Sequence, residues 1–198
     1  MINTFKCLLS SFAVVVCIGQ GMVYADTPAE QLQETIQQVL TVVNGSSKRS
    51  EKELKETLRD ILMPRFDWPE MAKQALGKYW DDVPSRQNEF VEVFAEFLGN
   101  SYVGKIGSYQ DEKILFVRES IERNQAQVDT KVIPGKGDPT LVNYRLHRLQ
   151  GEWKIYDVVV EDISLVGNYR SQFNRILATG SFDDLLKRMR EKNPKTAH

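Results

Sequence analysis

Proton transfer and nucleophilic attack need a histidine, a thiol or paired carboxylates, and this chain offers few of them. Its two cysteines, Cys7 and Cys17, both lie close to the N-terminus, and its two histidines are His147 and the terminal His198. His147 falls in the polar phase of an alternating stretch, so it reads as a solvated surface side chain rather than a base. No His stands at zinc-binding distance in sequence from another His or a carboxylate cluster. No Ser occupies a G-x-S-x-G elbow.

The carboxylates are more numerous. Asp81 and Asp82 precede a long helix, where negative charge suits the helix N-terminus. Glu161 and Asp162 are adjacent at a strand-to-helix corner, but successive strand residues point to opposite faces, which argues against an acid–base pair. Asp157 interrupts an apolar strand and reads as a buried carboxylate bonded to backbone or to an Arg. Gly135-Lys136-Gly137 looks like a phosphate loop, yet it joins strand to strand and lacks the helix N-terminus that phosphate binding uses. Lys187, Arg188, Arg190, Lys192 and Lys195 make the last helix basic, diluted by Asp183, Asp184 and Glu191. Those cations suit a helix C-terminal dipole, or contact with anionic headgroups or an acidic partner.

The elements carrying these residues follow from capping and periodicity. Thr27-Pro28-Ala29-Glu30 is a capping box that opens a helix with Leu32, Ile36, Val39, Leu40 and Val43 on one face. Ser50 with Glu53 opens a second, with Leu54, Leu58, Ile61 and Leu62 inward and Pro64 at its end. Asp67 caps a third, short helix through Leu76. A long fourth follows Pro84, with Phe90, Phe94, Phe97, Leu98, Tyr102 and Ile106 at three- and four-residue spacing. Strands are expected over Lys113–Arg123, Ala126–Pro134, Thr140–Gln150 and Glu152–Val160, joined by short links as in a meander. Helices over Ser164–Ala178 and from Ser181 to about Glu191 close the chain, and Asn193–His198 should fray. Helices, then strands, then helices indicate an α+β fold, a twisted antiparallel sheet of about four strands packed against N- and C-terminal helices.

The N-terminus reads as a secretion signal over residues 1–25. Lys6 precedes the apolar run Cys7–Gly19, and Val23-Tyr24-Ala25 has the small-residue character of a cleavage site. Cleavage after Ala25 leaves one domain, 26–198, with no Cys and so no disulfide. A lipidated Cys17 is the competing reading, disfavoured by the bulky Val16 before it. The formal net charge is −1, and removal of Lys6 makes it −2. That balance excludes a nucleic-acid partner, which demands a strongly basic face.

The stretch WKIYDVVVEDISLVGNYRSQF, Trp153–Phe173, runs from an apolar strand through Glu161-Asp162 into a helix with Leu165, Tyr169, Phe173, Ile176 and Leu177 inward. With the helical FLGNSY of Phe97–Tyr102, it resembles the MlaC (toluene-tolerance) family of periplasmic phospholipid carriers. The family usually has a Gly just before the Ser at the corner, which would allow positive φ at little cost; here Asp162 and Ile163 precede Ser164. The resemblance implies a periplasmic carrier, a monomer without cofactor or metal, with acyl chains held between sheet and helices. It also implies two docking partners, an outer-membrane lipoprotein–porin complex and an inner-membrane ABC transporter with a lipid-binding ring protein. On that reading the lipid-lining residues are Phe94, Phe97, Tyr102, Tyr144, Leu146, Trp153, Tyr156, Val158, Val160, Val166, Tyr169 and Phe173. Periodicity alone does not separate a cavity from a filled core. The alternatives are a carrier of another apolar molecule such as a hopanoid, an enzyme on a similar scaffold using Asp157 or Glu161, and an interaction module with a filled core.

The signal reading has a direct test. N-terminal sequencing of the exported protein should begin at Asp26, and an acylated Cys17 would overturn a soluble carrier.

Overall fold

The computed structural model describes residues 27–45, 49–107 and 112–191. The signal segment, its cleavage site and the tail Asn193–His198 lie outside the described residues.

Local chemistry sets the helix starts. Helix α1 (Pro28–Asn44) begins at Thr27, whose hydroxyl accepts the Glu30 N–H at 3.2 Å while the Glu30 carboxylate accepts the Thr27 N–H at 2.8 Å. Ser50 and Glu53 repeat that reciprocal pair at the start of α2 (Glu51–Leu62). Pro64 tightens the chain into a 3-10 turn, Met63–Arg65, and Asp67 then caps α3 (Trp68–Leu76) by accepting the Glu70 N–H at 3.0 Å. Helix α4 is Gln87–Ile106.

The sheet is an antiparallel meander, β1 (Lys113–Glu122), β2 (Gln125–Ile133), β3 (Thr140–Leu149), β4 (Glu152–Val160) and β5 (Ile163–Ser164), in that spatial order. The fifth strand was not expected. Val160 pairs with Ile163, so Glu161-Asp162 forms a two-residue hairpin loop, and the chain makes this short strand before α5 (Leu165–Leu177) begins. Both loop residues have positive φ, 47° and 64°, which primed hairpin turns require. No Gly relieves that conformation. Instead the Glu161 N–H donates to the Leu141 carbonyl at 3.1 Å and its carboxylate accepts the Leu141 N–H at 2.6 Å, tying the turn to β3. Helix α6 (Phe182–Glu191) starts at Ser181, whose hydroxyl accepts the Asp184 N–H.

Paired residues on neighbouring strands share a face. A register shift between Arg145↔Asp157 and Leu146↔Ile155 leaves Tyr156 as an extra, bulged residue. Trp153, Ile155 and Val158 therefore join Ala126, Val128, Tyr144 and Leu146 in a cluster closed by Leu32 of α1. Asp157 turns to the opposite side, toward α5. There a larger, mainly helical cluster collects α3 (Met71, Leu76), α4 (Phe90, Phe94, Leu98), α5 (Val166, Phe173) and α6 (Leu185, Leu186). A third cluster, Val43, Leu58 and Val103, joins α1, α2 and α4.

Asp157 links sheet to helix. Only 2% exposed, its carboxylate accepts from Arg145 Nη1 at 3.1 Å, from the Ser164 hydroxyl at 2.7 Å and from the Val166 N–H at 3.1 Å. Ser164 in turn accepts the Gly167 N–H at 2.9 Å and caps α5. Asp157→Ala should cost about 3 kcal/mol, since charge-assisted bonds contribute roughly 1.5–3 each and half-exposed Arg145 can return to water. Urea denaturation measures it; a loss under about 1 kcal/mol would mean that the corner is held otherwise.

Candidate functional site: an apolar groove beside the sheet

Between α4, α5 and α6 lies an open groove of about 340 Å³. Phe97 supplies the α4 side, Tyr169, Phe173 and Ile176 the α5 side, and Leu185 and Met189 the α6 side; Gln172, Arg188 and Glu191 stand at its edge. The spacing 169, 173, 176 is one face of a helix, which is why a single helix presents three apolar side chains to one trough. The aromatic rings meet edge-on. Phe97 and Tyr169 are 5.4 Å apart at 82°, and Phe94 lies 6.0 Å from Tyr169 and 5.9 Å from Phe173, near perpendicular to each. Such pairs add roughly 0.5–1.5 kcal/mol beyond burial and hold the groove floor rigid.

The α6 wall is fastened differently. Arg86 donates to Glu89 at 2.9 Å and to Asp183 at 2.7 Å, and Arg190 donates to Glu89 at 2.7 Å. Arg86, then Arg190, hold the Glu89 carboxyl below the usual carboxylate range. These pairs are solvent-exposed and screened, so they fasten α6 only weakly. Apolar burial of Leu185, Leu186 and Met189 is the main attachment of α6.

The residues expected to line a lipid site fall in two places. Phe97, Tyr169 and Phe173 border the groove; Phe94 and Val166 are buried behind it, and Tyr102 and Tyr156 pack at the margin of the same cluster. Tyr144, Leu146, Trp153 and Val158 belong to the separate cluster under α1. Val160 lies beyond it, 41% exposed, next to Ile163 at 63%. Tyr144 and its partner Val158 thus sit in the cluster under α1, while Tyr169 and Phe173 sit in the helical cluster, and the Tyr156 bulge is what puts Val158 on the same face as Ile155. Leu185 and Met189 were not foreseen as part of a site. The available signal was the i, i+4 apolar pair on an otherwise charged helix.

Three of the chemical candidates, His147, Asp157 and Glu161, are engaged in hydrogen bonds. His147 is not a solvated side chain, as its alternation phase suggested: its Nε2 lies 2.7 Å from Oδ2 of buried Asp67, and Tyr156 covers its ring at 5.3 Å. Asp157 and Glu161 are bonded as described above. Among the described residues no group of three His, Cys, Asp or Glu is placed to hold a metal, and no helix is long and apolar enough to cross a membrane.

Comparison with known proteins points one way. Residues 33–191 match the family model described as MlaC protein. The chain is 21% identical over 174 residues to the intermembrane phospholipid transport system binding protein MlaC of Haemophilus influenzae, covering 83% of this chain and 81% of that one. It is 26% identical over 161 residues to the toluene tolerance protein ttg2D of Pseudomonas putida, covering 76% and 73% respectively. A phospholipid-binding protein of Ralstonia solanacearum, solved in complex with a phospholipid, superposes with a TM-score of 0.74 at 20% identity, over 85% of this chain and 97% of that one. At that identity the likeness concerns the fold.

Tyr169 supplies a pH test of the groove floor. Burial, with a hydrogen bond to Tyr102, pushes its phenol well above the usual tyrosine range. A raised acid favours the folded state while neutral; that contribution is complete below the unfolded value near 10 and declines as pH rises beyond it. Stability should therefore fall above about pH 10, with a shallower fall in Tyr169→Phe. Chemical denaturation across pH 9–11 reads this, and an identical slope in the variant would place Tyr169 in contact with water.

Proposed function

Because the chain belongs to the MlaC family, we propose that it is a soluble periplasmic carrier that binds phospholipid and passes it between membrane-bound complexes. The observation that carries this reading is the apolar groove beside α5, bordered by aromatic rings of α4 and α5 and walled on one side by α6. The solved neighbour in complex with a phospholipid, and the relatives named for phospholipid transport and toluene tolerance, support it. The engagement of Asp157, Glu161 and His147 in structural bonds supports a carrier over an enzyme.

Magnitudes limit how such a carrier works. Two acyl chains bring on the order of 30 methylenes, or about 24 kcal/mol of transfer from water at about 0.8 each. Reversible affinity saturates near roughly 18–21 kcal/mol. Release into water is therefore negligibly slow, and the lipid must pass to a bilayer or another apolar pocket while the carrier is docked. The docking partners on this reading are an outer-membrane lipoprotein–porin complex and an inner-membrane ABC transporter with a lipid-binding ring protein; the carrier itself works as a monomer, exported with cleavage after Ala25. At about 30 Å³ per water-sized group, the groove of about 340 Å³ admits roughly eleven methylenes. That is part of one chain, so two chains require the walls to part, and α6 is the wall that yields most cheaply.

Gentle purification followed by lipid extraction and mass spectrometry should find phospholipid with mixed headgroups. Ile176→Trp, which fills the groove from its α5 wall, should lower bound lipid several-fold with the melting temperature nearly unchanged. Val166→Trp is the contrast: Val166 is 2% exposed, and overpacking there should lower the melting temperature. Well-folded protein that is consistently empty, or an Ile176→Trp variant with a full complement of lipid, would refute this placement.

A further inference from the structure

We infer that Arg188 is an anion anchor at the mouth of the α4–α5–α6 groove, making the groove selective for an acyl chain that carries an anionic oxygen headgroup. The inference rests on the groove being an acyl seat, as proposed above, and adds the chemistry that selects its occupant.

Three observations point to it. Arg188 is exposed at the rim of a groove whose walls are otherwise apolar, one residue before the wall residue Met189. No described residue hydrogen-bonds its guanidinium or pairs with it within 4 Å, although its charge is felt by the Asp184 carboxylate one turn back. The nearest acids have hydrogen-bonded or paired partners of their own: Asp184 accepts from both the backbone and the hydroxyl of Ser181, at 2.9 and 2.7 Å, and Glu191, also on the rim, lies 3.9 Å from Lys187. Arg190, the next cation on the helix, is committed to Glu89 on the far side. Arg188 is thus the α6 cation that stands on the groove rim with its guanidinium donors open to a ligand. A guanidinium presents a planar fork of donors suited to carboxylate or phosphate oxygens, and needs nothing from the rest of the headgroup. The groove would therefore accept any phosphate-bearing headgroup and a free fatty-acid carboxylate alike, while disfavouring uncharged acylglycerols.

Three single-chain probes of equal length separate the alternatives: dodecanoic acid, lauroyl lysophosphatidylglycerol and monolauroylglycerol. Each is titrated by calorimetry into the delipidated full chain, below the concentration at which it forms micelles. The two anionic probes should bind about tenfold or more tighter than the neutral one, the factor expected of a charge-assisted bond. Arg188→Gln should erase that difference without weakening monolauroylglycerol, and Arg188→Lys should restore part of it. A preference for the lysophospholipid alone would assign phosphate, and equal preference for both anions the shared oxygen chemistry; either supports the anchor. Equal binding of all three probes, or equal weakening of all three in Arg188→Gln, overturns the anchor but leaves the acyl seat standing. Failure of all three to bind removes the seat as well.

Discussion

A buried carboxylate with three polar partners decides where the helix that follows the sheet begins. Asp157 stands on the last long strand, meets Arg145 across the sheet, and bonds both the Ser164 hydroxyl and the Val166 N–H at the start of α5. Left without those partners it would be costly to bury. Given them, it fixes the first turn of α5 relative to β4, and hence the direction in which Tyr169 and Phe173 project. The Tyr156 bulge makes this possible. It lets Asp157 face α5 while Ile155 and Val158, on either side, remain in the cluster under α1. One extra residue in a strand thus gives the sheet apolar contacts on one side and a polar anchor on the other.

From that anchor the groove follows by packing. Phe97, Tyr169 and Phe173 border it and Phe94 backs them, with Phe94 edge-on to Tyr169 and Phe173 and Phe97 edge-on to Tyr169. Helix α6 then covers part of the floor with Leu185 and Met189 and is fastened at its rim by exposed ion pairs through Arg86 and Glu89. Floor and wall differ in kind. The first is held by close contacts that lose energy steeply with small displacements, the second by a modest apolar stripe and solvent-screened charges.

Much of this was legible in the sequence, because much of it is local. Both capping boxes, the Asp67 cap, the meander and the α5 stripe depend on residues within a few positions of each other, and each forms as the spacing indicates. Asp157 could be recognised as buried and bonded because a carboxylate inside an apolar strand has few other fates. What failed was non-local. His147 lies in the polar phase of β3, yet its partner Asp67 is 80 residues away, at the cap of a helix that alternation says nothing about. The placement of Val158 on the same face as Ile155 turns on a bulge, and period-two reading carries no sign of where a strand skips a beat. The hairpin at Glu161-Asp162 misled in the opposite direction: two non-Gly residues at positive φ look forbidding until the bonds to Leu141 are seen.

The same physics bears on why a lipid carrier can dispense with a chemical site. For an enzyme, binding has to favour a transition state over the substrate, which calls for directed polar groups and shifted proton affinities. A carrier between two apolar environments faces a nearly flat free-energy difference, and its problem is the barrier, the exposure of acyl chain to water during the passage. Lowering that barrier asks for a surface that stays apolar and continuous while one wall moves. Rigid aromatic contacts on α4 and α5, an amphipathic α6, and a corner that keeps α5 fixed to the sheet meet that demand without a reactive group. Polar chemistry then has a place only at the rim, where water already solvates whatever the chain carries.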